Sequence, residues 1–195
     1  MAHSTFLLAL LLVGVAVQAS AQAPPEVTIS YVVYQGSGCN YENTNYVLSN
    51  DYKMVTFIFG GMVATTDGLP AGKRKSCQMS FYINYPDGWS VSIGQATARW
   101  FADIAQDSAG IYEVHYYLSG QTGTAMIERK IQGPYTGSFE FTDDFRRLVW
   151  SECNNTPNLN IKMVVRVEGK KAVMGIDSVD CNPVLILNLQ WKKCP

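Results

Sequence analysis

The sequence predicts an all-β fold, a disulfide-stapled β-sandwich of two antiparallel sheets, on three observations. The first is the stretch Cys77-Gln78-Met79-Ser80-Phe81-Tyr82-Ile83-Asn84-Tyr85, where every second residue is apolar or aromatic and the intervening Ser80, Tyr82 and Asn84 form a second face. The second is residues 159–167, with Leu159, Ile161, Met163, Val165 and Val167 on one face and Asn160, Lys162 and Arg166 on the other. The third is the repetition of such segments, about ten of them, between turns rich in Gly, Pro, Asn and Asp, with no amphipathic helix of useful length. A closed β-barrel is the alternative, because a period of two does not distinguish the two architectures.

Residues 1–21 read as a signal peptide. Positions 6–17 are almost wholly apolar, about the length of a signal core and too short to cross a bilayer. Ala19-Ser20-Ala21 supplies small residues for cleavage after Ala21. Cleavage after Ala19 is the alternative, while a cut after Ala23 would leave Pro24 beside it. The remaining residues, 22–195, suffice for one secreted domain with a sizeable core. No later stretch is long and apolar enough to span a membrane, so none is expected as a partner after cleavage.

The elements follow in order. Residues 27–34 are β-branched and aromatic and form a strand. Residues 35–50, with Gly36, Gly38, Cys39 and several Asn, read as a long pinned loop. A strand over 55–59 and a turn-rich connector over 67–72 lead into the central strand after Cys77. Pro86-Asp87-Gly88 turns the chain: proline presets φ, Asp bonds locally and glycine accepts positive φ. Residues 90–93 and 97–104 are read as two strands, 111–118 as a third with Tyr112, Val114, Tyr116 and Leu118 on one face, and 138–141 and 148–150 as short ones. Glu168-Gly169-Lys170 reads as a hairpin turn joining 159–167 to a partner over 172–179. Residues 184–191 close the chain with Leu185, Leu187, Leu189 and Trp191 on one face. Trp89, Trp100, Trp150 and Trp191 are assigned to the core.

A formal charge of −1 argues against nucleic acid, which requires a basic patch. Lys73-Arg74-Lys75 is a solvated loop run. The five cysteines, Cys39, Cys77, Cys153, Cys181 and Cys194, contain no CxxC pair, which removes the usual zinc and thioredoxin readings. In an oxidising compartment they form two disulfides and leave one thiol, in any of fifteen arrangements.

Catalytic currency is scarce. His115 is the only histidine after the signal, so a multi-His metal site is excluded, and it reads as a solvent-facing strand residue beside Glu113 and Tyr117. No Gly-x-Ser-x-Gly elbow occurs. Asp103, Asp107, Glu113, Glu128, Glu140, Asp143, Asp144 and Glu152 offer many carboxylate pairs for a glycosidase, and the sequence selects none. Asp143-Asp144 and Asp177 with Asp180 are read as turn residues rather than calcium ligands. No catalytic residue, metal or cofactor is assigned. Eleven tyrosines suit a surface that stacks on sugar rings, and Tyr82 and Tyr117 fall on outer strand faces as candidate ligand-stacking residues. Asn154-Asn155-Thr156 is a glycosylation sequon on Asn154, with Pro157 directly behind it.

Taken together, the signal peptide, Cys77-Gln78 before its alternating strand, Tyr85-Pro86-Asp87-Gly88-Trp89, Gly133-Pro134-Tyr135-Thr136-Gly137-Ser138-Phe139, Trp150-Ser151-Glu152-Cys153, Leu159-Asn160-Ile161 and Leu189-Gln190-Trp191-Lys192-Lys193-Cys194 resemble a secreted family of fungi and bacteria catalogued as domain of unknown function 4360. The resemblance spans Cys39 to Cys194. It implies a secreted domain without established activity, and disulfides Cys39–Cys77 and Cys153–Cys194. Cys181 departs from the pattern: it is either a free thiol or a competitor of Cys194 for Cys153. The reading is therefore a secreted, non-catalytic module that binds a surface or glycan such as a cell wall. The alternatives are an extracellular polysaccharide hydrolase using a carboxylate pair, and a purely structural secreted protein.

Overall fold

The computed structural model describes residues 22–175 and 182–195. The expected signal segment and Cys181 lie outside them. Twelve strands follow in chain order: β1 Thr28–Gln35, β2 Thr44–Leu48, β3 Met54–Phe59, β4 Ala64–Thr65, β5 Arg74–Asn84, β6 Trp89–Ile104, β7 Ala109–Leu118, β8 Ala125–Gln132, β9 Tyr135–Asp144, β10 Asn158–Glu168, β11 Ala172–Gly175 and β12 Val184–Lys193. A short 3₁₀ turn, Pro70–Lys73, precedes β5, and no α-helix occurs among the described residues.

All strand pairs are antiparallel and form two sheets that do not close into a barrel. The five-stranded sheet has the order β1-β5-β10-β7-β8. The other is built on β6, which pairs with β9 along one edge and with β12 and then β11 along the other. Beyond β12 lie β3 and β2, and β4 lies beyond β11. The inward faces meet in one core. Met79, Phe81 and Ile83 of β5, Ile161, Met163 and Val165 of β10, and Tyr112, Val114 and Tyr116 of β7 are buried against Phe57, Trp100, Leu185 and Leu187 of the opposite sheet. The alternation read from the sequence is thus the alternation of core and outside.

Arg74 and Lys75 open β5 rather than lying in a loop, and β4 is a short strand not expected from the sequence. Five further differences from the sequence reading each have a physical reason. Residues 44–48 of the expected loop form β2, an edge strand whose Asn45, Tyr46 and Val47 are all exposed, so no burial pattern marks it. Residues 125–132 form β8, where the charged run Glu128-Arg129-Lys130 hides an edge strand that buries only Ala125, Ile127 and Ile131. The two strands expected around Gly94 are one, β6. A register shift there sets Ile93 against Leu189 and Gln95 against Asn188, and a Cβ on Gly94 would strike the Gln190 side chain.

Residues 148–150 are not a strand. The Val149 N–H donates to the buried Tyr116 hydroxyl (2.9 Å) instead of to a neighbouring strand, and the Ser151 N–H donates to the Val91 carbonyl (2.9 Å). Phe145 packs edge-on against Tyr116, with ring centroids 4.7 Å apart. Finally, β11 is not the hairpin partner of β10. Both edges of β10 are already filled by β5 and β7, so the chain crosses to β6 and pairs Ala172 with Ile104. Gly169 permits the crossing: its φ is +94°, and a Cβ would approach the Ser108 Cα to 2.6 Å.

Cys39 is bonded to Cys77 (Cα–Cα 5.4 Å) and Cys153 to Cys194 (Cα–Cα 6.0 Å). The second bond ties the end of β12 to the loop before β10. Trp100 and Trp191 lie in the core as expected, but Trp89 and Trp150 are only half-buried. They serve instead as seats for cations, Lys193 over Trp89 (5.6 Å) and Lys192 over Trp150 (4.3 Å).

Tyr116→Phe will strand the buried Val149 N–H and lower unfolding free energy by roughly 1–3 kcal/mol, read as a fall in urea midpoint at unchanged slope. Replacing Cys153 and Cys194 together by Ser releases a closed loop with a sequence separation of 41. The loss expected is up to about 4 kcal/mol, read by the same titration.

Candidate ligand-binding surface

The outer face of the five-stranded sheet carries both tyrosines singled out in the sequence. On β5 the outward positions are Ser76, Gln78, Ser80, Tyr82 and Asn84. On β10 they are Asn158, Asn160, Lys162, Val164 and Arg166. Register sets Tyr82 opposite Asn158, and Ser80 opposite Asn160, which in turn faces Tyr117 of β7. Tyr82 and Tyr117 therefore stand on the same face, 41% and 37% exposed. With β10 between them, two strand spacings and a two-residue offset separate them by about 12 Å. That leaves room between the rings for more than one sugar unit.

The floor between the two rings is an ordered amide. Asn160 is buried, accepts from the Ser80 hydroxyl (2.7 Å) and donates to the Ser119 hydroxyl (3.0 Å) and the Asn158 carbonyl (3.2 Å). Every donor and acceptor of that side chain finds use within the sheet, so the floor is neutral and rigid. A small cavity of about 160 Å³ continues past Tyr82, lined by Ser119, Gln121, Glu152, Asn155 and Asn158. Asn154 stands in the same exposed loop with a φ of +59°. Its carboxamide oxygen accepts from the Gly88 N–H (2.8 Å), and its nitrogen is the atom a glycan would use.

Tyr31 joins this face and was not singled out in the sequence. The pairing of β1 with β5 shifts register between Ser30 and Val33, a bulge that takes Tyr31 out of the alternation. Its φ is +53°, a left-handed conformation costing a bulky residue on the order of 1–3 kcal/mol. Its ring is 81% exposed and sits edge-on to Tyr82, centroids 5.9 Å apart at 83°. The one sequence signal was the unbroken run Tyr31-Val32-Val33-Tyr34, which a strict two-residue period cannot bury on one side.

The ion pairs gather at the far end of the same sheet, while Lys162 stands exposed between them and Asn160, and Glu152 lines the cavity beside Tyr82. Arg166 lies between Glu113 (3.5 Å), Glu128 (3.7 Å) and Glu168 (3.8 Å). His115 is half-buried with its Nε2 3.2 Å from the Glu113 carboxylate. Other carboxylates are engaged too: Glu140 with Arg99, Asp103 with the Thr136 hydroxyl, and Asp144 with Gln95.

Asp143 and Asp144 are not turn residues: they are the last two residues of β9. Asp143 accepts from the Arg129 Nε–H (2.9 Å to each carboxylate oxygen), from its Nη2–H (2.6 Å) and from the Tyr112 hydroxyl (3.1 Å). Burial, and then the charge of Asp143, push the Tyr112 phenol well above its ordinary range, while the hydrogen bond to Asp143 holds the Arg129 guanidinium more firmly protonated. A depression of about 300 Å³ beside them is lined by Glu128, Asp143, Asp144, Met126 and Arg146. Among the described residues no group of three or more His, Cys, Asp or Glu is placed to share a metal ion. Asp177 and Asp180 lie outside them.

The family described as "Domain of unknown function (DUF4360)" is matched over residues 25–194. An "Uncharacterized secreted protein" of Arthroderma benhamiae is 31% identical over 183 residues, which covers 90% of this chain and 75% of that protein. Among solved structures, the carbohydrate-binding module TmCBM27, described for specific mannan recognition, is 8% identical with a TM-score of 0.36, covering 87% of this chain and 99% of that one. A family 11 carbohydrate-binding module from Clostridium thermocellum, in complex with a β-1,3-1,4-mixed-linked tetrasaccharide, is 8% identical with a TM-score of 0.23, covering 87% and 88%. Likenesses this distant leave the site to be argued from its own geometry.

Proposed function

The chain belongs to the family described as domain of unknown function (DUF4360), and from that premise we propose a secreted, non-catalytic glycan-binding module whose ligand lies across Tyr31, Tyr82 and Tyr117. Secretion accords with the secreted relative and with two disulfides, which persist outside the reducing cytosol. Residues 1–21 act as the signal peptide and are removed. The target is a neutral polysaccharide displayed on a surface such as a cell wall.

The observation that carries this reading is Tyr31. A bulky ring held at positive φ and left exposed gains nothing for the core, so its strain is accounted for by what the ring does outside. Sugar rings offer an apolar C–H face to an aromatic ring and hydroxyls to neighbouring amides and hydroxyls. Tyr82 and Tyr117 supply the aromatic faces over the fixed Asn160 floor, and Gln121, Asn155 and Asn158 of the adjoining cavity offer amides. The hydrolase reading draws on the depression lined by Glu128, Asp143 and Asp144. The Arg129 clamp on Asp143 works against it, because a general acid has to hold a proton there.

The test is incubation of the oxidised, secreted protein with a panel of insoluble polysaccharides, with bound protein and released sugar measured in the same tubes. Retention without soluble product is expected. Tyr82→Ala, Tyr117→Ala and Tyr31→Gly should each weaken retention by about fivefold or more, the loss of an anchoring ring being worth upwards of 1 kcal/mol. Released oligosaccharide would overturn the reading. Tyr31→Gly separates binding from folding, since relief of the left-handed strain offsets the lost edge contact with Tyr82. Its stability is expected within about 1 kcal/mol of the parent.

A further inference from the structure

Next to that face, and sharing Tyr31 with it, the outermost strands of the two sheets, β1 and β2, flank a cleft of about 440 Å³. Tyr31 and Tyr34 enter it from β1, Tyr46 from β2, and Tyr41 from the loop between them. Ser30, Thr44 and Asn45 add hydroxyl and amide groups, and no charged side chain lines it. Tyr41 is 66% exposed and stands edge-on to Tyr34, with centroids 5.4 Å apart at 75°. Tyr46 leans on the buried Phe57 (6.4 Å), which fixes the opposite wall.

The position of Tyr41 is set before any ligand arrives. Cys39, two residues earlier, is bonded to Cys77. Asn40 and Asn43 then close the loop on themselves: the Asn40 N–H donates to the Asn43 carboxamide (2.8 Å), and the N–H groups of Glu42 and Asn43 donate to that of Asn40 (2.9 and 3.0 Å). The Tyr41 hydroxyl donates to the Val32 carbonyl at the β1 bulge (3.3 Å). Burial, with Tyr46 and Tyr41 close by, pushes the Tyr34 phenol up to about 12, so it stays a neutral donor at ambient pH.

We propose that this cleft is a second glycan site, which takes a single neutral polysaccharide chain rather than a flat polysaccharide surface. The inference rests on the reading of the protein as a glycan binder and adds to it a place and a ligand class. The absence of charge from the lining disfavours uronic acids, sulfated sugars and phosphates, which would be desolvated there without a counter-charge. Four tyrosines against two aliphatic residues, Ile29 and Val32, suit a ligand that is half apolar and half hydroxyl. An extended peptide adding to β1 would meet a ladder interrupted by the bulge and by the Tyr41 hydroxyl already on the Val32 carbonyl. The volume lies within the range of a small-ligand site.

The experiment is calorimetric titration of the full secreted protein with soluble neutral hexasaccharides of glucose and of mannose, and with hexagalacturonate as the charged counterpart. Sedimentation and capture of an extended valine-threonine peptide are measured in parallel. At least one neutral hexasaccharide should bind and hexagalacturonate should not. Tyr41→Ala and Tyr46→Ala should each weaken binding about fivefold or more, whereas Lys130→Ala, on β8 at the opposite edge of the five-stranded sheet, leaves it unchanged. Tyr41→Phe, which keeps the ring, should retain most of the affinity and guards against a folding defect.

Hexasaccharide binding lost with Tyr82→Ala but kept with Tyr41→Ala would overturn the cleft and leave the face proposal standing. So would retention on insoluble polysaccharide with no hexasaccharide binding at all. Failure of both assays would overturn both. Peptide capture abolished by Tyr41→Ala, or a dimer that Tyr41→Ala converts to monomer, would assign the cleft to a protein partner and overturn the proposal.

Discussion

The Cys39–Cys77 bond is the constraint on which both tyrosine surfaces depend. Cys77 lies on β5, the strand that carries Tyr82, and Cys39 opens the loop that carries Tyr41. Around the bond the two segments are laced together, the Gly38 N–H donating to the Ser76 carbonyl (3.0 Å) and the Ser76 N–H to the Ser37 hydroxyl (3.2 Å). A flexible surface loop would otherwise lose conformational freedom at the moment of binding. Here that cost falls on folding, and the rings are held in place beforehand.

A second organising feature is the division of the outer sheet face by charge. Along β10 the outward residues run from Asn158 and Asn160, through Lys162 and Val164, to Arg166 and Glu168. The tyrosines stand at the amide-rich end, where Glu152 lines the adjoining cavity, and the ion pairs of Arg166 gather at the other. These pairs are long and partly exposed, so they contribute little stability. Their effect is to satisfy one another's charge away from Tyr82 and Tyr117. The surface around the tyrosines is left with rings, amides and hydroxyls as its main groups, the setting that the proposed neutral ligand requires.

Legibility in the sequence followed burial. Strands β5, β7, β10 and β12 are central, one face in the core and one outside, and their alternation placed nearly every side chain, Tyr82 and Tyr117 included. Edge strands β2 and β8 bury little and left almost no periodic trace. The segment 148–150 has strand-like residues, yet its backbone is satisfied by a side-chain hydroxyl that local sequence does not reveal. Only knowledge that β10 has two filled edges explains why β11 crosses to the other sheet.

By itself the sequence determined a disulfide-bonded antiparallel β fold, the family to which it belongs, and two tyrosines facing outward, because a two-residue period, cysteine count and motif order are properties of the chain; that the sheets stay open as a sandwich was decided by their pairing. Tertiary structure alone decided the third tyrosine of the face and the four that meet in the cleft. Tyr31 depends on a register shift against β5, and Tyr34, Tyr41 and Tyr46 come together only because the outermost strands of two different sheets flank the same cleft. Register and sheet edges arise from pairings between distant segments, and no spacing along the chain encodes them.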